Sequence, residues 1–116
     1  MMTNAPAWPL IVVHSGDDEL SYVNDLAEWW ADESLSAHPH ESDDFAIDSE
    51  GRVYHLGFDA ASGRVEFGNG AENIARERFS QLVMNHLSAM NQCCVSKNHD
   101  YSFELGFDLV KKTIDV

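Results

Sequence analysis

The spacing of hydrophobic positions changes several times along the chain, and each change predicts an element. From Trp8 to His14 the run Trp-Pro-Leu-Ile-Val-Val-His is apolar at consecutive positions. That pattern predicts an inner strand, or a strand whose second face serves in dimerisation. Ser15-Gly16-Asp17-Asp18 is a turn by composition, and Leu20 and Tyr22 resume a period of two in a second strand. Asn24 is the expected cap of a short helix from Asp25 to Glu33, with Leu26, Trp29 and Trp30 as its apolar face. Ser34 to Asp43 has no period and is expected as a loop. Phe45 and Ile47 open a third strand, Val53 to Phe58 form a fourth with Tyr54, Leu56 and Phe58 facing the core, and Val65 and Phe67 mark a fifth.

One long helix is predicted over Asn69 to Met90, where Ile74, Ala75, Phe79, Leu82, Val83, His86, Leu87 and Met90 form a single stripe. Asn69 with Glu72 would make a capping box, and Asn73 is a competing start. Cys93 to Val95 could add a short strand. The last segment carries two patterns. Tyr101, Phe103, Leu105, Phe107 and Leu109 alternate as in a strand, whereas Phe103, Phe107, Val110 and Ile114 fit a helix with Lys111 and Lys112 at its C-terminal end. The whole predicts an α+β domain: an antiparallel sheet of about five strands, in hairpins and a meander, packed by two to three helices in two layers. Residues 1–7 read as a lead-in and residues 8–116 as one domain.

Charge changes the picture more than length does. The chain has 116 residues and a formal net charge of −13. Met1 to Glu50 holds twelve acids and no Lys or Arg, while Gly51 to Val116 holds eight acids against seven bases, so the first half carries 12 of the 13 net charges. Such a field repels nucleic-acid backbones and anionic lipid and attracts cations and basic proteins. Its plainest consequence is solubility. The longest apolar run, Trp8 to Val13, is far short of the ~20 residues of a membrane span, and Met1 to Pro6 has no basic leader pattern. Adjacent Cys93 and Cys94 cannot staple distant parts of the chain, so reduced thiols and a cytoplasmic location are expected.

Several short motifs together carry a resemblance. Trp8-Pro9 leads a strand, Gly16-Asp17-Asp18-Glu19-Leu20 follows, Ile47-Asp48-Ser49 stands with Gly51 and Tyr54, and His86 precedes Cys93-Cys94-Val95 and Lys97. On these residues the chain from Trp8 to Val110 resembles a small bacterial family, domain of unknown function 4144. The resemblance implies a compact α+β domain with a C-terminal helix, and no assigned activity. It favours helix for Ser102 to Ile114.

No catalytic or cofactor signature stands above background. His86, Cys93, Cys94 and His99 could hold a soft or borderline metal such as zinc, although their spacing matches no standard zinc motif. A core histidine bonded to a carbonyl, beside buried thiols, is the better-supported reading. Thiol chemistry at the cysteine pair is a minor alternative. His38, His40 and Glu41, with Asp43 and Asp44, gather metal-binding side chains on the expected loop, where a solvated surface is the default. Asp48 to Gly51 does not align as an EF-hand, because Ala46 and Gly57 would fall at ligand positions. Asp25, Glu28, Trp29, Trp30 and Asp32 form the candidate binding face: if one tryptophan is exposed, it is an interface anchor rimmed by acids.

The expected function is therefore a small non-enzymatic domain that binds a basic protein, with no cofactor, no direct nucleic acid and no membrane. The alternatives are a zinc or thiol protein centred on His86 and the cysteine pair, and an acidic DNA mimic. Homodimerisation through Ile11, Val13 and Val53 is a further expectation.

Overall fold

The computed structural model describes residues 6–41, 43–68, 72–90 and 101–114. Among them the elements run β1 (Leu10–Val13), β2 (Leu20–Val23), α1 (Leu26–Ala31), α2 (Glu33–Ser36), β3 (Phe45–Asp48), β4 (Arg52–Asp59), β5 (Arg64–Phe67), β6 (Glu72–Asn73), α3 (Arg76–Ala89) and α4 (Phe103–Ile114). The sheet is antiparallel in the order β2-β1-β3-β4-β5, and β6 pairs with the start of β4. The α+β class stands, with the two-residue β6 and the four-residue α2 added to the expected elements and with helices on both faces of the sheet where two layers were expected.

β1 is an inner strand, and all four of its residues are buried. Alternation sends Ile11 and Val13 to one core, which α3 and α4 cover with Phe79, Val83, Leu87, Phe107 and Val110. Leu10 and Val12 go to the other core with Ala46, Tyr54, Leu56 and Val65, where Trp29 of α1 and Leu35 of α2 close the surface. Both sheet faces are thus covered within the chain. Ile11 and Val13, two of the residues expected in a dimer face, are buried under α3 and α4, and Val53 is partly buried against the same core.

Several boundaries differ from expectation. Asp25, rather than Asn24, caps α1 by accepting the Glu28 N–H. The expected loop after Ser34 contains most of α2. Phe58 is 39% exposed, because it lies near the outer end of β4, where only β5 pairs with it. The long helix starts at Arg76 behind Ala75, with no side-chain cap, since Glu72 and Asn73 are taken by β6; Asn69 lies outside the described residues. The proposed strand at Cys93 to Val95 also lies outside them.

The C-terminal segment is helical. Gly106, Phe107 and Val110 are buried and Phe103 is partly buried, which is helical spacing, whereas the strand pattern would need Leu105 inside and it is 46% exposed. Ser102 caps the turn by accepting the Leu105 N–H at 3.1 Å. Gly106 lets α4 approach α3 closely: a Cβ there would run into the Phe79 ring, which also packs on Phe103 and Phe107 at centroid distances of 4.9 and 5.9 Å. On the far side of the sheet, buried Asp48 accepts hydrogen bonds from the N–H groups of Ala7, Glu50 and Arg52, from Arg52 Nε and from the Tyr54 hydroxyl. This ties Ala7 and the turn at Gly51 to the sheet. Gly51 has φ +85° and lies against the Phe103 ring. No helix among the described residues is long and apolar enough to cross a membrane.

The Gly106 contact gives a test in which two effects oppose. Alanine gains up to about 1 kcal/mol over glycine in a helix, but overpacking a filled core costs about 1–3 kcal/mol. Gly106→Ala should therefore lower the urea midpoint; an unchanged or raised midpoint would mean that α3 and α4 are not packed this closely.

Candidate functional site

The acidic face around α1 is built by its caps. Asp25 accepts the Glu28 N–H at 2.9 Å while the Glu28 carboxylate reaches back to the N–H of Asn24, the residue before the cap, at 3.0 Å, and both charges stay at the surface. Asp32 ends α1 and caps α2 through the Ser34 N–H. The chain turns at that residue, so α1 is too short to bury both tryptophans, whose directions differ by about 100°. Trp29 is fully buried against Phe67, at a centroid distance of 4.9 Å. Trp30 is 41% exposed, and Leu26, one turn earlier, is 48% exposed. The expected apolar face of Leu26, Trp29 and Trp30 is thus split, with one residue inward and two outward. The Arg64 guanidinium lies 4.9 Å over the Trp30 ring. Trp30, Glu33, Ala37, Gly63 and Arg64 help line a recess of about 300 Å³ between the short helices and the β4–β5 turn.

His86 is a core residue. Its Nδ1 accepts the Leu20 N–H at 2.8 Å, so the neutral ring carries its proton on Nε2 and donates it to the Thr113 hydroxyl at 2.8 Å, which in turn donates to the Val110 carbonyl. The partner is a backbone N–H where a carbonyl was expected. β2, α3 and α4 are joined through this ring, and its only lone pair is already used. Burial pushes its pKa below the ordinary value, against a smaller opposing effect of Glu19. Cys93, Cys94 and His99 lie outside the described residues.

The loop candidates are separated by the fold. His38 and Glu41 are exposed, and Glu41 meets Asp44 through its backbone, its N–H donating to Asp44 Oδ2 at 3.2 Å and its carbonyl accepting the Asp44 N–H at 3.0 Å. His40 turns inward, with its Nε2 2.8 Å from the Leu35 carbonyl and its Nδ1 3.3 Å from Asp44 Oδ2. His14, at the end of β1, places its Nδ1 3.9 Å from the same oxygen and its Nε2 3.0 Å from Ser21 Oγ. Burial would raise the Asp44 carboxyl, but hydrogen bonds from the Ser15 and Glu41 N–H groups, with the His40 and His14 rings beside it, bring its pKa below the usual value. Sequence reasoning missed His14. The signal was available only through register, because pairing Val13 with Phe45 places the residue that follows β1 beside Asp44.

A separate groove of about 530 Å³ runs beside β6 and the start of α3, lined by Asp43, His55, Glu72 and Arg78 over an apolar floor that includes Phe45 and Val53. Arg78 sits 5.7 Å over the Phe45 ring. Its charged groups are of mixed sign and single out no ligand class.

The family model for domain of unknown function 4144, described as a protein structure with unknown function, matches residues 8–110. The chain belongs to this family. A solved relative in shape, the NMR structure of a protein from Shewanella amazonensis, has a TM-score of 0.65 and 20% identity, covering 97% of this chain and 96% of that one. At that identity the likeness establishes the fold alone. No curated protein matches the chain.

In this member of the family the His86 network predicts a pH effect. A histidine whose folded pKa is lowered stabilises the fold above its unfolded value of about 6.5, and that contribution is lost as pH falls below it. His86→Gln, which can keep both hydrogen bonds but cannot titrate, isolates the effect from the other histidines. The stability advantage of the natural chain over this variant should shrink between pH 7.5 and 5.5 in urea titrations. An advantage that stays constant or grows would contradict a neutral buried ring.

Proposed function

We propose that this is a non-enzymatic, cytoplasmic protein-binding domain that holds a basic segment of a partner protein against α1. The observation that carries the reading is Trp30, which stays 41% exposed while its neighbour Trp29 is fully buried. A large aromatic ring left at the surface gains nothing for the core, and tryptophan is the residue type most often found at the centre of binding interfaces. Leu26 extends the apolar contact by one helical turn. Around them Asp25, Glu28, Asp32 and Glu33 are all exposed, and Arg64 is the one base described at the recess. The partner's chemistry follows from this charge. Lysines and arginines would be drawn in by the acidic half of the chain, and a guanidinium would find an aromatic face of the kind Arg64 already uses.

The test is affinity capture with the untagged natural chain and with Trp30→Ala. Partners should be basic and should be released as salt is raised, because exposed charges are screened within about 10 Å at 0.1 M. Loss of the anchor should weaken capture by at least about 30-fold, the equivalent of a 2 kcal/mol hot spot, while the fold is unaffected. Partners held equally by Trp30→Ala, or held independently of salt, would refute the reading.

A further inference from the structure

Beyond α1, the arrangement of His14, His40 and Asp44 places two imidazoles and a carboxylate around one point. The Leu35 carbonyl can only accept, so His40 carries a proton on Nε2. In the neutral ring its Nδ1 is then a bare lone pair, aimed from 3.3 Å at a carboxylate oxygen that is also an acceptor. The His40 and Asp44 side chains are only 5% and 6% exposed, so water does not dilute this opposition. A positive charge between them, a proton on His40 Nδ1 or a metal ion, would relieve it. A proton on His40 Nδ1 would satisfy that pair, but it would offer nothing to His14 Nδ1, which the register brings to 3.9 Å from the same Oδ2, too far for a hydrogen bond.

A metal ion accounts for both histidines. Two ligands of a tetrahedral ion at about 2.1 Å stand roughly 3.4 Å apart, and the two nitrogen-to-oxygen distances of 3.3 and 3.9 Å bracket that value. All three ligand atoms lie within 4.8 Å of one another. The outer contacts are those of a metal site as well. Each metal-facing imidazole has its other nitrogen engaged, His40 with a backbone carbonyl and His14 with Ser21 Oγ, and Asp44 is oriented by the Ser15 N–H at 2.6 Å.

We propose that His14 Nδ1, His40 Nδ1 and Asp44 Oδ2 bind a divalent first-row transition metal, zinc above the others. Imidazole nitrogen and a single carboxylate favour that class over calcium or magnesium, which prefer shells of oxygen. His14 is 28% exposed, so the ion is reached from solvent on that side and has a position open to a fourth ligand. The site joins the end of β1 to the loop between α2 and β3.

Zinc titration of the full untagged chain by calorimetry tests the proposal, in a Cys93→Ser/Cys94→Ser background so that thiolates cannot supply the ligands. One ion should bind per chain. His14→Ala, which removes the most exposed ligand and disturbs the fold least, should weaken binding by at least about 100-fold, since lost outer-shell contacts alone cost 10–100-fold. His38→Ala, in the same loop but outside the cluster, should leave affinity unchanged. Failure to bind zinc would overturn the proposal. So would equal binding by His14→Ala, or a His40 ring that nitrogen NMR shows doubly protonated at pH 8 in the presence of zinc.

Discussion

The structure depends on a strand that is apolar on both faces. Leu10, Ile11, Val12 and Val13 are all buried, and each such side chain contributes about 1.5–3 kcal/mol when removed from water. Two residues point each way, so uncovering either face would forfeit about 3–6 kcal/mol, a large share of the 5–15 kcal/mol that holds an ordinary domain together. The strand therefore requires two covers. α3 and α4 form the larger one. The smaller is improvised from α1 and α2, with Trp29 meeting Phe67 of β5 at its centre.

That improvised cover explains why the surface chemistry collects on its side of the molecule. A helix as short as α1 can turn only one tryptophan inward, and its neighbour is left outside. The helices are held by side-chain caps, and Asp25, Glu28 and Asp32 serve as those caps while keeping their charges at the surface. Local stability and an acidic surface thus come from the same residues. The loop that follows α2 returns to the sheet at Asp44, whose carboxylate gathers Ser15, Glu41, His40 and His14. On the opposite core the comparable polar residue is His86, fully satisfied and neutral, which fastens β2 to α3 and α4.

Periodicity determined much of this protein without help. The five longer strands, the antiparallel hairpins, the stripe of Phe79, Val83, His86 and Leu87, and the burial of β1 on both sides follow from where the apolar residues fall. The acidic first half and the adjacent tryptophans were equally visible. What periodicity could not decide was any choice between two patterns that a local window supports equally. Residues 101–109 alternate as well as a strand does, yet the chain is helical from Phe103 because Gly106 and Phe107 fit against Phe79 while Leu105 can face water.

Only tertiary structure decided which tryptophan is the surface one, because that depends on the chain turning at Asp32. It also decided that Glu72 and Asn73 complete the edge of β4 rather than open α3, since hydrogen bonds to a neighbouring strand outweigh a cap. The same holds for the His14, His40 and Asp44 cluster. His14 is 26 residues from His40 in the chain, and no local motif links them; the β1–β3 register brings them together. Sequence patterning sets the direction in which each side chain points relative to its own element. Which side chains then meet is set by the pairing of elements, and that pairing is a property of the whole chain.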